Sequence, residues 1–205
     1  MLERISRREE FDLFIAWIAI SLAFAIIFLR DTDTGRVDPV VALVFLGISL
    51  FTVGIGFILH EMAHKFTAIK YGFWAEFRKD NMMLVVAVAL AALVGVVFAA
   101  PGATVIYDIN GRGISREQNG KISVAGPIVN LVLCIPFAAL LIYGGTGSIV
   151  TMIGMIGFQV NAMIATFNML PVSVLDGKKV FAWNKAVFAI MILAAFGALF
   201  ASFYL

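Results

Sequence analysis

Two histidines and a glutamate lie together in an apolar stretch of the chain. The segment FILHEMAHKF, residues 57–66, contains His60, Glu61 and His64, and the sequence has two histidines in all. Positions i and i+4 of a helix share one face, so both imidazoles can reach the same ion. This is the H-E-x-x-H spacing of zinc proteases, in which the glutamate acts as general base on a water molecule. The motif therefore predicts a hydrolytic zinc centre.

The alternative is a pair of buried histidines that only make hydrogen bonds within a helix bundle. A charged residue at the centre of a bilayer costs about 2.5–3.5 kcal/mol on insertion scales, so such residues are usually retained for function. The carboxylate of Glu61 beside two neutral imidazoles adds to that cost. The spacing and the cost together favour the catalytic interpretation.

A catalytic zinc ion needs a third protein ligand and one open position. No histidine remains, and the single cysteine, Cys134, lies isolated in an apolar run. Asp176 follows the apolar span Ile149–Leu170 and precedes Gly177-Lys178-Lys179. We therefore predict that Asp176 completes the set of ligands to one Zn²⁺ ion with His60 and His64. The alternative for Asp176 is a helix-terminal carboxylate that pairs with the lysines.

The composition is that of a membrane protein. Apolar residues make up 62% of the chain, charged residues 14%, and the mean hydropathy is +1.01. Several runs reach the roughly 20 residues that cross a bilayer. We predict an all-α polytopic membrane protein that forms one membrane-embedded domain over residues 1–205, with a core at about 47–180. The net charge of +2 is too small and dispersed to indicate a nucleic-acid partner.

About five segments are predicted to span the bilayer, of which the first is expected to be an uncleaved helix. They are Phe11–Leu29, residues 40 to about 72, Ile122–Tyr143, Ile149–Leu170 and Ala186–Leu205. A further apolar run, Met82–Ala100, is predicted to be re-entrant or to lie against the bundle. If it does not cross, 13 of the 15 Lys and Arg residues fall on the side of the N-terminus. The positive-inside rule then places the N-terminus in the cytoplasm of a multi-pass cell-membrane protein, with the site nearer the cytoplasmic face.

Two further segments resemble a known family. FNMLPVSVLDG, residues 167–177, resembles the second signature of the site-2 protease family of intramembrane zinc metalloproteases, in which an asparagine precedes a metal-binding aspartate. SVAGPIVN, residues 123–130, is similar to a Gly-Pro motif of the span between the two signatures. With H-E-x-x-H the resemblance covers about residues 47–180. Ser173 and Lys178 depart from it, replacing a proline and a glycine.

The resemblance implies a role for each matching residue. His60, His64 and Asp176 would hold zinc, and Glu61 would activate water. Asn168 would donate hydrogen bonds to the substrate carbonyl or the developing oxyanion, and Pro171 would break the helix before Asp176. A helix–helix hydrogen bond is the alternative role for Asn168.

The resemblance also implies a substrate-binding region. A short β-hairpin is predicted in the polar segment 101–120, where Ala103–Tyr107 is β-prone and is bounded by Pro101-Gly102 and Asn110-Gly111. In the family a strand at this place pairs with an unwound substrate, which would replace the hydrogen bonds lost from the substrate helix. The expected substrate-binding residues are Asn130, Thr104, Val105 and Ile106. Packing is the alternative role for Asn130, and an ordinary surface hairpin the alternative for the strand.

These observations predict an intramembrane zinc endopeptidase. It would cleave a transmembrane protein substrate within or near the lipid bilayer. The alternative is a membrane transporter or a metal-binding pseudoenzyme that uses the same His/Glu/Asp cluster for another purpose.

Overall fold

The protein is mainly helical. A computed structural model describes residues 5–30, 38–97, 102–109, 111, 113–172 and 174–205. In chain order these residues form α1 (Arg7–Arg30), α2 (Pro39–Lys70), β1 (Trp74–Lys79), α3 (Asn81–Leu93), β2 (Gly102–Tyr107), α4 (Arg116–Tyr143), α5 (Ile149–Asn168), α6 (Asp176–Trp183) and α7 (Lys185–Ala201). Strands β1 and β2 pair in an antiparallel sheet. The predicted fold class is confirmed.

Four helices are long and apolar enough to cross a membrane. They are α1, α2, α4 and α5, with 24, 32, 28 and 20 residues. The fifth predicted span, α7, is an apolar helix of 17 residues, at the lower end of the lengths that cross a bilayer. Its large side chains, such as Ile190 and Leu193, are mostly exposed, as lipid-facing residues are. The chain is a multi-pass membrane protein.

The described residues cluster into two compact units. The first consists of Met1–Ile58 and Glu76–Val105, and the second of Leu59–Ala75 and Ile106–Leu205. Helix α2 and the sheet contribute residues to both units. A single domain over residues 1–205 stays a prediction.

In the first unit, α3 runs alongside α1 and in the same direction. Near the start of α1, Glu9 accepts a hydrogen bond from the backbone N–H of Phe77 at 3.0 Å. At the other end, the guanidinium of Arg30 donates to the carbonyl oxygens of Ala91 and Ala92 at 3.4 and 2.5 Å. Those carbonyls belong to the last turn of α3, where helical hydrogen bonds leave acceptors unsatisfied. Arg30 therefore caps the C-terminal end of α3.

The strands on either side of α3 in the chain, β1 and β2, pair with each other. Helix α3 has 13 residues, about 20 Å, which is short of the roughly 30 Å hydrocarbon core. The chain is back beside β1 at Gly102, where a Cβ would overlap the carbonyl of Arg78 and the Cα of Lys79. Residues 98–100 lie outside the described part, and a re-entrant or surface-lying Met82–Ala100 segment stays a prediction.

The predicted strand is present as β2, but its partner was not predicted. Thr104, Val105 and Ile106 lie in β2, which pairs with β1. A helix, α3, and not a tight turn therefore stands between the two strands. Asn110, at the expected turn, lies outside the described residues.

In the second unit, α4 packs closely against α5. A Cβ at Gly154 would overlap the backbone of Leu141, and one at Gly157 would overlap the ring of Phe137. These two glycines let the backbones approach, as small residues do between membrane helices. Helices α6 and α7 pack on the start of α4 through a cluster that includes Val124, Met169 and Val180.

Candidate metal centre

Helix α2 presents the two histidines on one buried face, as predicted. The side chains of His60, Glu61 and His64 are all buried. The Nε2 atoms of the two imidazoles lie 3.0 Å apart. This pair follows directly from helical spacing, because one turn separates the two residues.

Asp176 reaches the histidines because the chain turns sharply after α5. Helix α5 ends at Asn168, and α6 begins at Asp176 after a bend that contains Pro171. Gly177 lies against the carbonyl of Met169, where any Cβ would overlap the backbone. The bend therefore depends on glycine at the position after the aspartate, and it brings Asp176 Oδ2 to 3.1 Å from His64 Nε2 and 3.5 Å from His60 Nε2.

The three atoms fit a metal ion. His60 Nε2, His64 Nε2 and Asp176 Oδ2 are separated by 3.0, 3.1 and 3.5 Å. Tetrahedral zinc with bonds of about 2.0–2.1 Å keeps its ligand atoms about 3.3 Å apart. Within the described residues this is the one group of three or more His, Cys, Asp or Glu side chains that can hold a metal ion. Two nitrogens and one oxygen form a donor set that zinc accepts.

One known protein resembles this chain over nearly its whole length. The chain is 39% identical over 194 residues to a protein of Methanocaldococcus jannaschii named "Putative zinc metalloprotease MJ0611". The match covers 95% of this chain and 94% of that protein. The chain belongs to this zinc metalloprotease family. No family model matches it, and no solved structure matches it significantly.

In this metalloprotease each imidazole makes a hydrogen bond through Nδ1, while its Nε2 faces Asp176. The Nδ1 of His64 lies 2.8 Å from the carbonyl oxygen of Ile122, and the Nδ1 of His60 lies 2.6 Å from Asn130 Oδ1. Both partners are acceptors, so each Nδ1 carries the proton and donates it. The Nε2 lone pairs are then free to face Asp176, which is the tautomer that a metal ligand needs.

Asp176 has the charge that a ligand requires. Burial alone would raise the pKa of its carboxyl group, but attraction to His64 and hydrogen bonds from both imidazoles outweigh it when those imidazoles carry a second proton, on Nε2. The pKa of Asp176 is therefore held well below its ordinary value without metal, and a zinc ion would take the place of the Nε2 proton. A carboxylate binds metal in its ionised form, so this ligand requires no deprotonation at neutral pH.

Three of the other predicted residues, Glu61, Asn130 and Asn168, belong to the same unit as this cluster. Glu61 follows His60 directly, so its side chain leaves α2 about 100° further round the helix. Asn168 ends α5, and its Nδ2 donates to the carbonyl of Ile164 in its own helix at 3.0 Å. Asn130, which was expected to contact the substrate, accepts a hydrogen bond from His60 Nδ1 through its Oδ1 atom. The roles predicted for these residues and for Thr104, Val105 and Ile106 stay predictions.

Gly126 of α4 was not distinguished as a site residue in the sequence, although it lies within SVAGPIVN. A Cβ at this position would be 2.5 Å from His64 Nε2 and 2.6 Å from His60 Nε2. Helix α4 therefore passes directly over the converging nitrogens with no side chain between. The only signal in the sequence is a glycine inside an apolar helical segment, which in membrane helices often marks close approach of a neighbouring helix.

Replacing Gly126 with alanine is expected to weaken zinc binding about 10–100-fold, because an overpacked methyl group costs about 1–3 kcal/mol. The methyl would push the imidazoles away from Asp176. Competition with a chelator measures the affinity. The matched control is Gly197→Ala in α7, where a side chain would meet nothing within 4 Å. Equal zinc affinity in Gly126→Ala and Gly197→Ala would show that a methyl group fits between α4 and the imidazoles.

Proposed function

We propose that the protein is an intramembrane zinc endopeptidase that binds one zinc ion and hydrolyses peptide bonds in or near transmembrane segments of other membrane proteins. The observation that carries the proposal is the convergence of His60, His64 and Asp176 in a chain built from apolar helices. The histidines lie on α2, one of the helices long enough to span a bilayer. Family membership supports the zinc chemistry, and the apolar setting supports the membrane substrate.

Each residue has a separate task in this proposal. A zinc ion held by His60, His64 and Asp176 supplies Lewis acidity, which lowers the pKa of water and polarises a carbonyl group. Glu61 takes the proton of the attacking water and later delivers it to the leaving amine. Ile122 and Asn130 accept hydrogen bonds from the Nδ1 atoms of His64 and His60 and keep the two imidazoles oriented.

Two of the expected substrate contacts also belong to the proposal. The amide of Asn168, at the end of α5, donates to the carbonyl of Ile164 in its own helix. On substrate binding it would turn from Ile164 to the substrate carbonyl. Strand β2 pairs with β1 along one edge of a two-stranded sheet. Its other edge could add an extended substrate segment and replace the hydrogen bonds that a helix loses when it unwinds. We place the site nearer the cytoplasmic face, from the distribution of Lys and Arg.

Zinc removal tests the proposal. A purified preparation in lipid or detergent is given a transmembrane-segment substrate and a soluble peptide with the same scissile sequence. A zinc chelator is expected to abolish cleavage, added zinc to restore it, and the membrane segment to be cleaved faster than the peptide. Cleavage that survives complete loss of zinc would contradict the mechanism. Bound zinc without any cleavage would favour a pseudoenzyme or a transporter.

A further inference from the structure

Two buried asparagines connect His60 to the backbone of a neighbouring helix. The Nδ1 of His60 donates to Asn130 Oδ1 at 2.6 Å, and Asn130 Nδ2 donates to Asn161 Oδ1 at 2.9 Å. Asn161 Nδ2 in turn donates to the carbonyl oxygen of Gly157 at 2.8 Å. Both asparagines are 0% exposed. We call this connection, from His60 through Asn130 and Asn161 to Gly157, the amide chain.

The direction of the amide chain is set at its far end. A backbone carbonyl can only accept hydrogen bonds, so Gly157 requires Asn161 to point its NH₂ group towards it. The Oδ1 of Asn161 then faces Asn130, which requires Asn130 to offer its own NH₂ group in that direction. The Oδ1 of Asn130 is consequently left for His60. Each orientation follows from the one before, because two facing oxygens or two facing NH₂ groups would repel.

The amide chain therefore determines where the proton of His60 lies. An acceptor beside Nδ1 keeps the proton on Nδ1 and leaves the lone pair of Nε2 towards His64 and Asp176. If Asn130 turned over, its NH₂ group would face Nδ1 and the proton would move to Nε2, where it blocks metal binding. His64 has no such freedom, because the backbone carbonyl of Ile122 is its acceptor. Of the two histidines, His60 depends on side chains for its tautomer.

We propose that Asn161 is a positioning residue that acts through Asn130 to hold His60 in the zinc-binding tautomer. The inference rests on the zinc site of the proposed function. Asn161 touches neither the imidazole pair nor Asp176 in these hydrogen bonds, so its effect on zinc passes through Asn130. Contacts of this kind behind a metal ligand typically change metal affinity about 10–100-fold.

The test compares zinc affinity in Asn130→Leu, Asn161→Leu and the double variant by chelator competition. We expect affinity to fall about 10–100-fold in Asn130→Leu and about 10-fold in Asn161→Leu. The double variant should have the same zinc affinity as Asn130→Leu, because Asn161 affects zinc binding only through its hydrogen bond to Asn130. The matched control is Thr166→Val, since Thr166 is another buried polar residue on α5 and its hydroxyl has no hydrogen-bond partner within the described residues. Its zinc affinity should equal that of the unaltered protein.

A second readout does not depend on zinc. Since the chain has two histidines, protein labelled with ¹⁵N-histidine shows only two imidazoles. In the zinc-free state His60 should be the Nδ1–H tautomer, and Asn161→Leu should convert it to a mixture. Asn161→Asp, whose protonated carboxyl group can donate to Gly157 and accept from Asn130, should keep affinity within about threefold, as expected if the connection and not the residue volume matters.

Failure of the inference and failure of the proposed function give different results. If the unaltered protein binds no zinc, the proposed function is wrong and the inference falls with it. If it binds zinc but Asn161→Leu binds zinc equally well, only the inference is overturned. Losses of affinity that add up in the double variant would also overturn it, because Asn161 would then act by another route.

Discussion

Glu61→Gln is expected to lower the rate of peptide hydrolysis about 10²–10⁴-fold, the usual contribution of a general base, while zinc stays bound. Glutamine has nearly the same shape as glutamate but cannot take a proton from water. The three ligand atoms belong to His60, His64 and Asp176, so the substitution leaves the ligand set intact. The measurements are cleavage of a membrane-segment substrate and zinc content per chain.

Glu117→Gln is the matched control for Glu61→Gln. Glu117 is a carboxylate in the first turn of α4 whose side chain is 62% exposed and pairs with Lys121. This variant should cleave at the unaltered rate, because an exposed ion pair contributes little. Full activity in Glu61→Gln would remove Glu61 from the mechanism. Loss of zinc together with activity would assign Glu61 a structural role at the metal instead.

Asp176→Ala is expected to weaken zinc binding on the order of 10²–10³-fold. Structural zinc sites bind with about 10–16 kcal/mol, so that one of four ligands accounts for about 2.5–4 kcal/mol. The substitution removes the oxygen that lies 3.1 Å from His64 Nε2 and leaves two nitrogens, which is too few for a catalytic site. Chelator competition measures the loss, and activity should disappear at ordinary zinc concentrations.

Lys179→Ala separates the two interpretations of Asp176. The Nζ of Lys179 is 3.8 Å from Asp176 Oδ1, so the variant removes the ion pair but keeps the carboxylate. If Asp176 is a ligand, Lys179→Ala binds zinc normally and only Asp176→Ala loses it. If the two variants lose zinc equally, pairing with the lysine is what matters, and the assignment of Asp176 as ligand is wrong.

The local part of the site could be predicted because one helix carries it. His60 and His64 are one turn apart, so the period of α2 puts both side chains on one face, where their Nε2 atoms lie 3.0 Å apart. Asp176 is far away in the chain, yet the need for a third ligand and its place after a span singled it out. Apolar run lengths likewise predicted α1, α2, α4 and α5 as membrane-spanning helices.

Strand β1 shows where local patterns gave too little information. The segment WAEFRK, Trp74–Lys79, mixes apolar and charged residues, a composition that does not by itself predict a strand. It is a strand because β2 pairs with it, and β2 lies on the other side of α3 in the chain. Pairing between distant segments is a tertiary property and leaves a weak trace in either segment alone.

The sequence by itself determined the chemistry of this protein: the H-E-x-x-H pair, the candidate third ligand and the apolar helices that hold them. These follow from residue type, helical period and the thickness of a bilayer, all of which are local. Only the tertiary structure decided what surrounds the site, with Gly126 passing over the imidazole nitrogens and Asn161 reaching His60 through Asn130. Which helix faces which depends on packing between segments distant in the chain, and a glycine or an asparagine looks the same in sequence whichever neighbour it meets.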